Sequence, residues 1–291
     1  MRGEEQLLRK LKQLDELKRS IQLSERQLAT RVEQNTFIYG ALKQIENVLR
    51  DESVLPPESK QRRQLEQRAA AIRSQSCPPD QLGGVPDVQA KLVELTVARG
   101  ELAISLDRIR NSLPNLEAEY GRLRSTELIN AALARVDPKA VLGPSIDFQQ
   151  TLKTLASYDL IVNTSRLPVY LLSGQYRLGA IINEETPVTF TWKRKKSPTI
   201  ITTSMFELAG LTVRDDAGTF THKTPDGRQL TVRRIFIPYL RFGGTLLGDV
   251  DVWLLPPEGE DLGSQISAMA FPGYETLLES EKLQLRIELA E

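Results

Sequence analysis

PVTFTWKRKKSPTIITTSMFELAGL, residues 187–211, is the stretch on which the fold turns. Its first part, through Phe190 and Trp192, and its later part, through Ile200 and Ile201, are β-branched and aromatic runs of strand length. TSMFELAGL then reads as a short helix ending at Ala209-Gly210-Leu211. Between the two strands stand four consecutive cations, Lys193, Arg194, Lys195 and Lys196. Three readings of that block compete: an exposed turn, a basic patch for a polyanion, or the remnant of an active site.

The sequence downstream and immediately upstream keeps the same character. LIVNTS, PVYLLS, YRLGAIIN, GTFTHKT, QLTVRRIFI, LRFGG, DVDVWLLP and LQLRIEL are further short strand-like runs separated by turn residues. Roughly ten such runs follow Asp159 with no βαβ alternation, which predicts a β-barrel-like or sandwich domain over residues 159–291 with one evident helix.

Residues 4 to about 135 have a helical period instead. Leu7, Leu14, Ile21, Leu28, Asn35, Leu42 and Leu49 recur every seven residues, with Leu11, Val32 and Tyr39 in the intervening seam. That heptad predicts a coiled coil with a second copy of the chain, or a helical hairpin within one chain. Asn35 is a polar residue of the kind that fixes register at a cost in stability. VLPPESK (54–60) and SCPPDQLGGVPD (76–87) break the pattern. A third helix is expected from Val88 to about Leu113, where Pro114 kinks or restarts it, and a last short helix over FQQTLKTLASY (148–158). The division expected is a helical, partly coiled-coil region over 1–158 and a β domain over 159–291, an α+β protein overall.

Composition narrows the functions. Thirty-eight basic residues balance thirty-eight acidic ones among 291, so no global field draws the protein to nucleic acid, and any basic patch is local. The only cysteine, Cys77, excludes an internal disulfide, and the only histidine, His222, leaves no His-rich metal site; no metal or cofactor is expected. GGTLLG (243–248) lacks the helix and Lys-Ser/Thr of a phosphate loop. No run approaches the roughly 18 apolar residues of a membrane span. With no apolar leader at the N-terminus, the chain reads as cytoplasmic by default, an export signal already trimmed being the alternative.

The order of pieces from about residue 165 to 290 resembles the retropepsin-like (retroviral-type) aspartic protease domain. GAIINEETPVTF makes a hairpin, TIITTSMFELAGL a strand, turn and helix, and HKTPDGRQLTV a flap-like hairpin with Thr224, Pro225, Asp226 and Gly227 at its tip. IPYLRFGGTLLGDVDVWLLP and EDLGSQISAMAF then supply the remaining strand pair and a Leu-Gly. The coiled coil ahead of it is similar to that of some bacterial members. The family's catalytic Asp stands three residues after the Phe of the first strand. Counted from Phe190, its Asp-Thr/Ser-Gly falls on Lys193, Arg194 and Lys195. The resemblance thus implies the family's barrel with its chemistry removed, since the dyad needs two carboxylates sharing a proton and a lysine is a cation at its reference pKa. Asp226, Asp249, Asp251 and Asp261 all lie away from that place. Three functions follow as expectations. The first is a non-catalytic interaction or scaffolding module that self-associates through its helices and holds an extended peptide or another protein. The second is an active aspartic endopeptidase, and the third a polyanion binder using Lys193–Lys196.

Overall fold

The computed structural model describes residues 2–51, 55–136, 142–213, 217–224 and 226–290, with the backbone alone at Arg2 and Val136. Helices come first: α1 (Arg2–Arg50), α2 (Lys60–Arg73), α3 (Pro86–Arg124), α4 (Glu127–Val136), α5 (Ile146–Lys153) and α6 (Leu155–Val162). Strands follow: β1 (Arg166–Leu172), β2 (Gln175–Ile182), β3 (Thr186–Lys193) and β4 (Thr199–Ile201), then α7 (Thr203–Leu208). The rest are β5 (Thr219–Lys223), β6 (Gln229–Phe242), β7 (Thr245–Leu254), β8 (Gln265–Ser267), β9 (Tyr274–Glu279) and β10 (Gln284–Leu289). The architecture is α+β, with an N-terminal helical region and a C-terminal β-barrel domain. Contacts group the chain into two compact units, Met1–Gln22 with Ala98–Thr164, and Leu23–Val97 with Ser165–Glu291.

Several elements depart from expectation, each for a local reason. Helix α3 runs through Pro114 to Arg124 as one element, without a restart there. A proline removes one ladder hydrogen bond, and the turns beyond it are held by the buried Leu116 and Tyr120. LIVNTS, expected as a strand, continues α6 as far as Val162. Tyr158 and Val162 lie four apart and are buried while Leu160 is 83% exposed, so the helical period overrides β-branched content. The last helix is two, α5 and α6, meeting at Thr154. LRFGG is not a strand of its own, since Leu240–Phe242 end the 14-residue β6.

In the first unit Leu7, Leu11, Leu14 and Ile21 are buried. Glu4 accepts the hydroxyls of Tyr120 and Ser145 and the Ser145 N–H at 3.1 Å, while Asp15 accepts the Tyr158 hydroxyl at 2.8 Å. Arg110 pairs with Asp159 at 2.6 Å. Burial works against the Glu4 carboxylate, but the bonds from Ser145 and Tyr120 outweigh it and hold its pKa below the usual value. Burial and the Glu4 carboxylate push the Tyr120 hydroxyl up to about 12. A carboxyl with a depressed folded pKa stabilises above its unfolded pKa and loses that contribution as pH falls through the folded value. Helical melting by circular dichroism is therefore expected to lose temperature as pH drops from about 5 to 3, and Glu4→Gln to flatten the dependence while lowering the neutral-pH value. An unchanged slope in the variant contradicts this role for Glu4.

In the second unit Leu28, Asn35 and Leu42 are buried and Leu49 is half-buried. Helices α1 and α2 run as a hairpin here, with Arg73 on Glu46 at 3.0 Å. Asn35, 2% exposed, donates to the Cys77 carbonyl and accepts the Cys77 N–H, both at 3.0 Å. The heptad positions from Leu28 to Leu42 are thus covered within the chain, and the Asn35 amide holds the Cys77 linker.

The ten strands of the described residues form one sheet in the order β5-β6-β7-β4-β8-β3-β2-β1-β10-β9. A further pairing, Ile181 with Arg241 and Ile182 with Leu240, joins β2 to β6 and closes six of them into a barrel. Strand β6 serves both ends of the closure. Gln229–Arg233 pair with β5, the β7 pairing lapses at Pro238, which has no N–H to give, and Leu240–Arg241 then reach β2. Phe190, Ile201, Ile237, Phe242 and Ile266 fill the interior, none more than 1% exposed. Buried Arg241 bonds Glu184 at 3.0 Å. Asn183 and Glu184, with φ of 52° and 61°, are the central residues of the β2–β3 turn, which the Glu185 N–H closes on the Ile182 carbonyl at 3.1 Å. Against β2 lies α3, so closely that a Cβ on Gly179 would stand 2.5 Å from a Thr96 methyl.

Candidate functional site

The cation block owes its position to the strand order. Short β8 lies between β3 and β4, parallel to β3 with Lys193 beside Ser267, and antiparallel to β4 at Ile200. Residues 194–198 must therefore cross the end of β8 to connect the two strands. Ser267, fully buried, anchors the crossing. Its hydroxyl accepts the Ser197 N–H at 3.2 Å and donates to the Ser197 carbonyl at 2.6 Å. One residue pair further in, the Ser264 carbonyl accepts the Thr191 N–H at 2.8 Å and its hydroxyl accepts the Thr202 N–H at 3.1 Å. Trp192, ahead of the block, is turned into the core against Phe271, with ring centroids 6.3 Å apart. It therefore offers no exposed stacking face beside the cations.

Lys193 is half-buried, and Arg194, Lys195 and Lys196 are exposed. None of the four has a carboxylate partner among the described residues. Other cations of the same unit do: Arg228 pairs with Asp226 and Asp261, Arg234 with Asp251, and Arg241 with Glu184. Arg194 instead lies over the Tyr176 ring, 6.0 Å from its centroid.

The flap-like hairpin is the turn between β5 and β6. Thr224 is buried, its N–H bonds the Arg228 carbonyl at 2.9 Å, and Gly227 takes a φ of 89°. Pro225 lies outside the described residues. Arg228 ties the tip to the segment Pro257–Leu262, reaching the Glu258 carbonyl at 3.1 Å and Asp261 at 2.6 Å. The same segment holds the start of α7, where Glu260 accepts the Ser204 N–H at 2.8 Å. The acids here are held in their ionised form by their neighbours. The Thr224 hydroxyl and then Arg228 hold the Asp226 carboxyl below its ordinary range, and Arg228 does the same to Asp261. A proton-sharing dyad needs one carboxyl raised instead.

Among the described residues no group of three or more His, Cys, Asp or Glu side chains is placed to hold a metal ion, and no helix is long and apolar enough to cross a membrane. His222 meets the Trp253 ring edge-on at 5.6 Å. A groove of about 760 Å³ opens beside Arg194, walled by the turn-like segment Pro79–Gly84 and the β1–β2 hairpin. Sequence reasoning did not find it, since its walls come from residues about 90 to 115 apart in the chain. The remaining signals were the dense Pro-Gly linker and the uncompensated charge.

No family model matches the chain, and no curated protein matches it. One solved structure that does is the crystal structure of a retropepsin-like aspartic protease from Rickettsia conorii. The match has 15% identity and a TM-score of 0.32, and covers 42% of this chain and 97% of that one.

Proposed function

We propose that the protein is a non-catalytic member of the retropepsin-like group, a binding module in which a β domain over residues 159–291 is carried by a helical region over residues 1–158. The observation that carries this reading is the end of β3. Lys193 stands three residues after Phe190, where the resemblance calls for the catalytic Asp, and Arg194 and Lys195 stand where Thr/Ser and Gly are called for. A cation there offers neither a base for water nor a proton to share, and two such ends brought together across a two-fold axis repel. Loss of the motif glycine removes the tight turn that brings a carboxylate to the cleft. What such a domain retains is a rigid barrel and a hairpin able to hold protein partners.

Self-association was expected from the heptad. Its positions from Leu7 to Leu42 are buried within the chain, which supports a monomeric helical hairpin over a coiled coil between copies.

A transition-state analogue tests the reading. Pepstatin, whose hydroxyl sits between two catalytic carboxylates, is expected to leave the melting temperature of the full-length protein unchanged across acid and neutral pH. A saturable rise means that a working dyad exists and overturns the proposal.

A further inference from the structure

We infer that the groove beside Arg194 is a docking site for an acidic peptide, one that places an apolar side chain in the groove and a carboxylate on the cation block. The inference rests on reading the chain as a binding module and supplies the partner's chemistry.

Three observations carry it. The first is the groove itself. At about 760 Å³ it lies in the size range of ligand sites, roughly 300–1,000 Å³. Leu171, Val85, Pro86 and the Tyr176 ring supply apolar wall. The second is that it is pre-formed. The Tyr176 hydroxyl donates to the Asp80 carbonyl at 2.9 Å, pinning one wall to the other. A Cβ on Gly83 would stand 3.2 Å from the Leu171 N–H nitrogen and 3.0 Å from Leu283, so Pro79–Gly84 lies flush against β1 with no slack. A rigid groove spends little ordering entropy when a peptide enters.

The third observation is charge. Arg194 stands at the groove and Lys195 and Lys196 follow it into solvent, all three without an acidic partner among the described residues. The arginines of the barrel named above are neutralised by carboxylates of the same chain. An arginine already laid over an aromatic ring keeps its N–H fork open to a carboxylate, and charge-assisted bonds of that kind are among the strong ones. The chemistry favours a peptide over nucleic acid. The groove is walled mainly by Leu171, Val85 and Pro86, its one ring, Tyr176, already lies under Arg194, and Trp192 is buried and offers no base a stacking face.

The test is selection of a random dodecapeptide display library on the immobilised full-length protein. A peptide synthesised from the winners is then measured by fluorescence anisotropy. The expected result is enrichment of Asp or Glu next to aliphatic or aromatic residues. Affinity is expected to fall about tenfold or more with Arg194→Glu, and by a similar factor with Val85→Asp. Arg194 is exposed, so its variant is expected to melt with the wild type. No enrichment, enrichment without acidic preference, or affinity indifferent to Arg194→Glu overturns the inference. So does displacement of the peptide by oligothymidylate at lower concentration than by unlabelled peptide, which assigns the groove to nucleic acid. Recovery of the selected peptide cut by the protein refutes instead the non-catalytic reading.

Discussion

Phe242→Ala is expected to lower the unfolding free energy by about 3–5 kcal/mol. The ring is fully buried at the end of β6, with centroids 5.2 Å from Phe271 and 6.2 Å from Phe190. It therefore joins the strand that closes the barrel to the strand that leads into the cation block. Truncation loses both the transfer free energy of the ring and its contacts with Phe190 and Phe271. Phe220→Ala is the control. That ring is 45% exposed and stacks on Trp253 at the edge strand β5, so its loss is expected to cost about 1 kcal/mol or less. Urea unfolding followed by tryptophan fluorescence reads both. Equal costs for the two variants contradict the placement of the core.

Asn35→Leu separates two accounts of α1 by sign. If the heptad were a seam between copies, leucine there would strengthen the assembly and raise stability. In this fold the Asn35 amide is the partner of both the N–H and the C=O of Cys77, and leucine leaves those two groups partly buried without it. The expected result is destabilisation by about 2–3 kcal/mol. The linker should loosen with it, so Cys77, whose thiol pKa burial raises, should react faster with a maleimide than in the wild type.

Much of the β domain was legible because its signals are local. β-Branched runs separated by turn residues placed most strands, and Ala209-Gly210-Leu211 closed α7 where expected. What failed depends on distant neighbours. The sequence around Leu160 has strand composition, and only the burial of Tyr158 and Val162 on one face makes it helix. The closure of β2 on β6 rests on two residue pairs near Pro238 that no period announces. Asn35 stood out in the sequence as an anomaly whose partner stayed open between a second copy and the same chain. A polar residue at a core position demands a hydrogen bond, but the chain does not say whether it comes from a second copy or from a linker 42 residues away. The cation block was visible at once, whereas the groove beside it exists only after a Pro-Gly segment and a hairpin meet.

Cleavage of a peptide bond by the full-length protein is the most direct test of the non-catalytic reading. Purified chain incubated with an unfolded protein substrate between about pH 3.5 and 7, the range in which paired carboxylates share a proton, is read by mass spectrometry for new termini. The prediction is none above a buffer control, with or without pepstatin. New termini that pepstatin suppresses, and that vanish when one of Asp226, Asp249, Asp251 or Asp261 is changed to Asn, would show a working carboxylate elsewhere in the fold and contradict the assignment of Lys193.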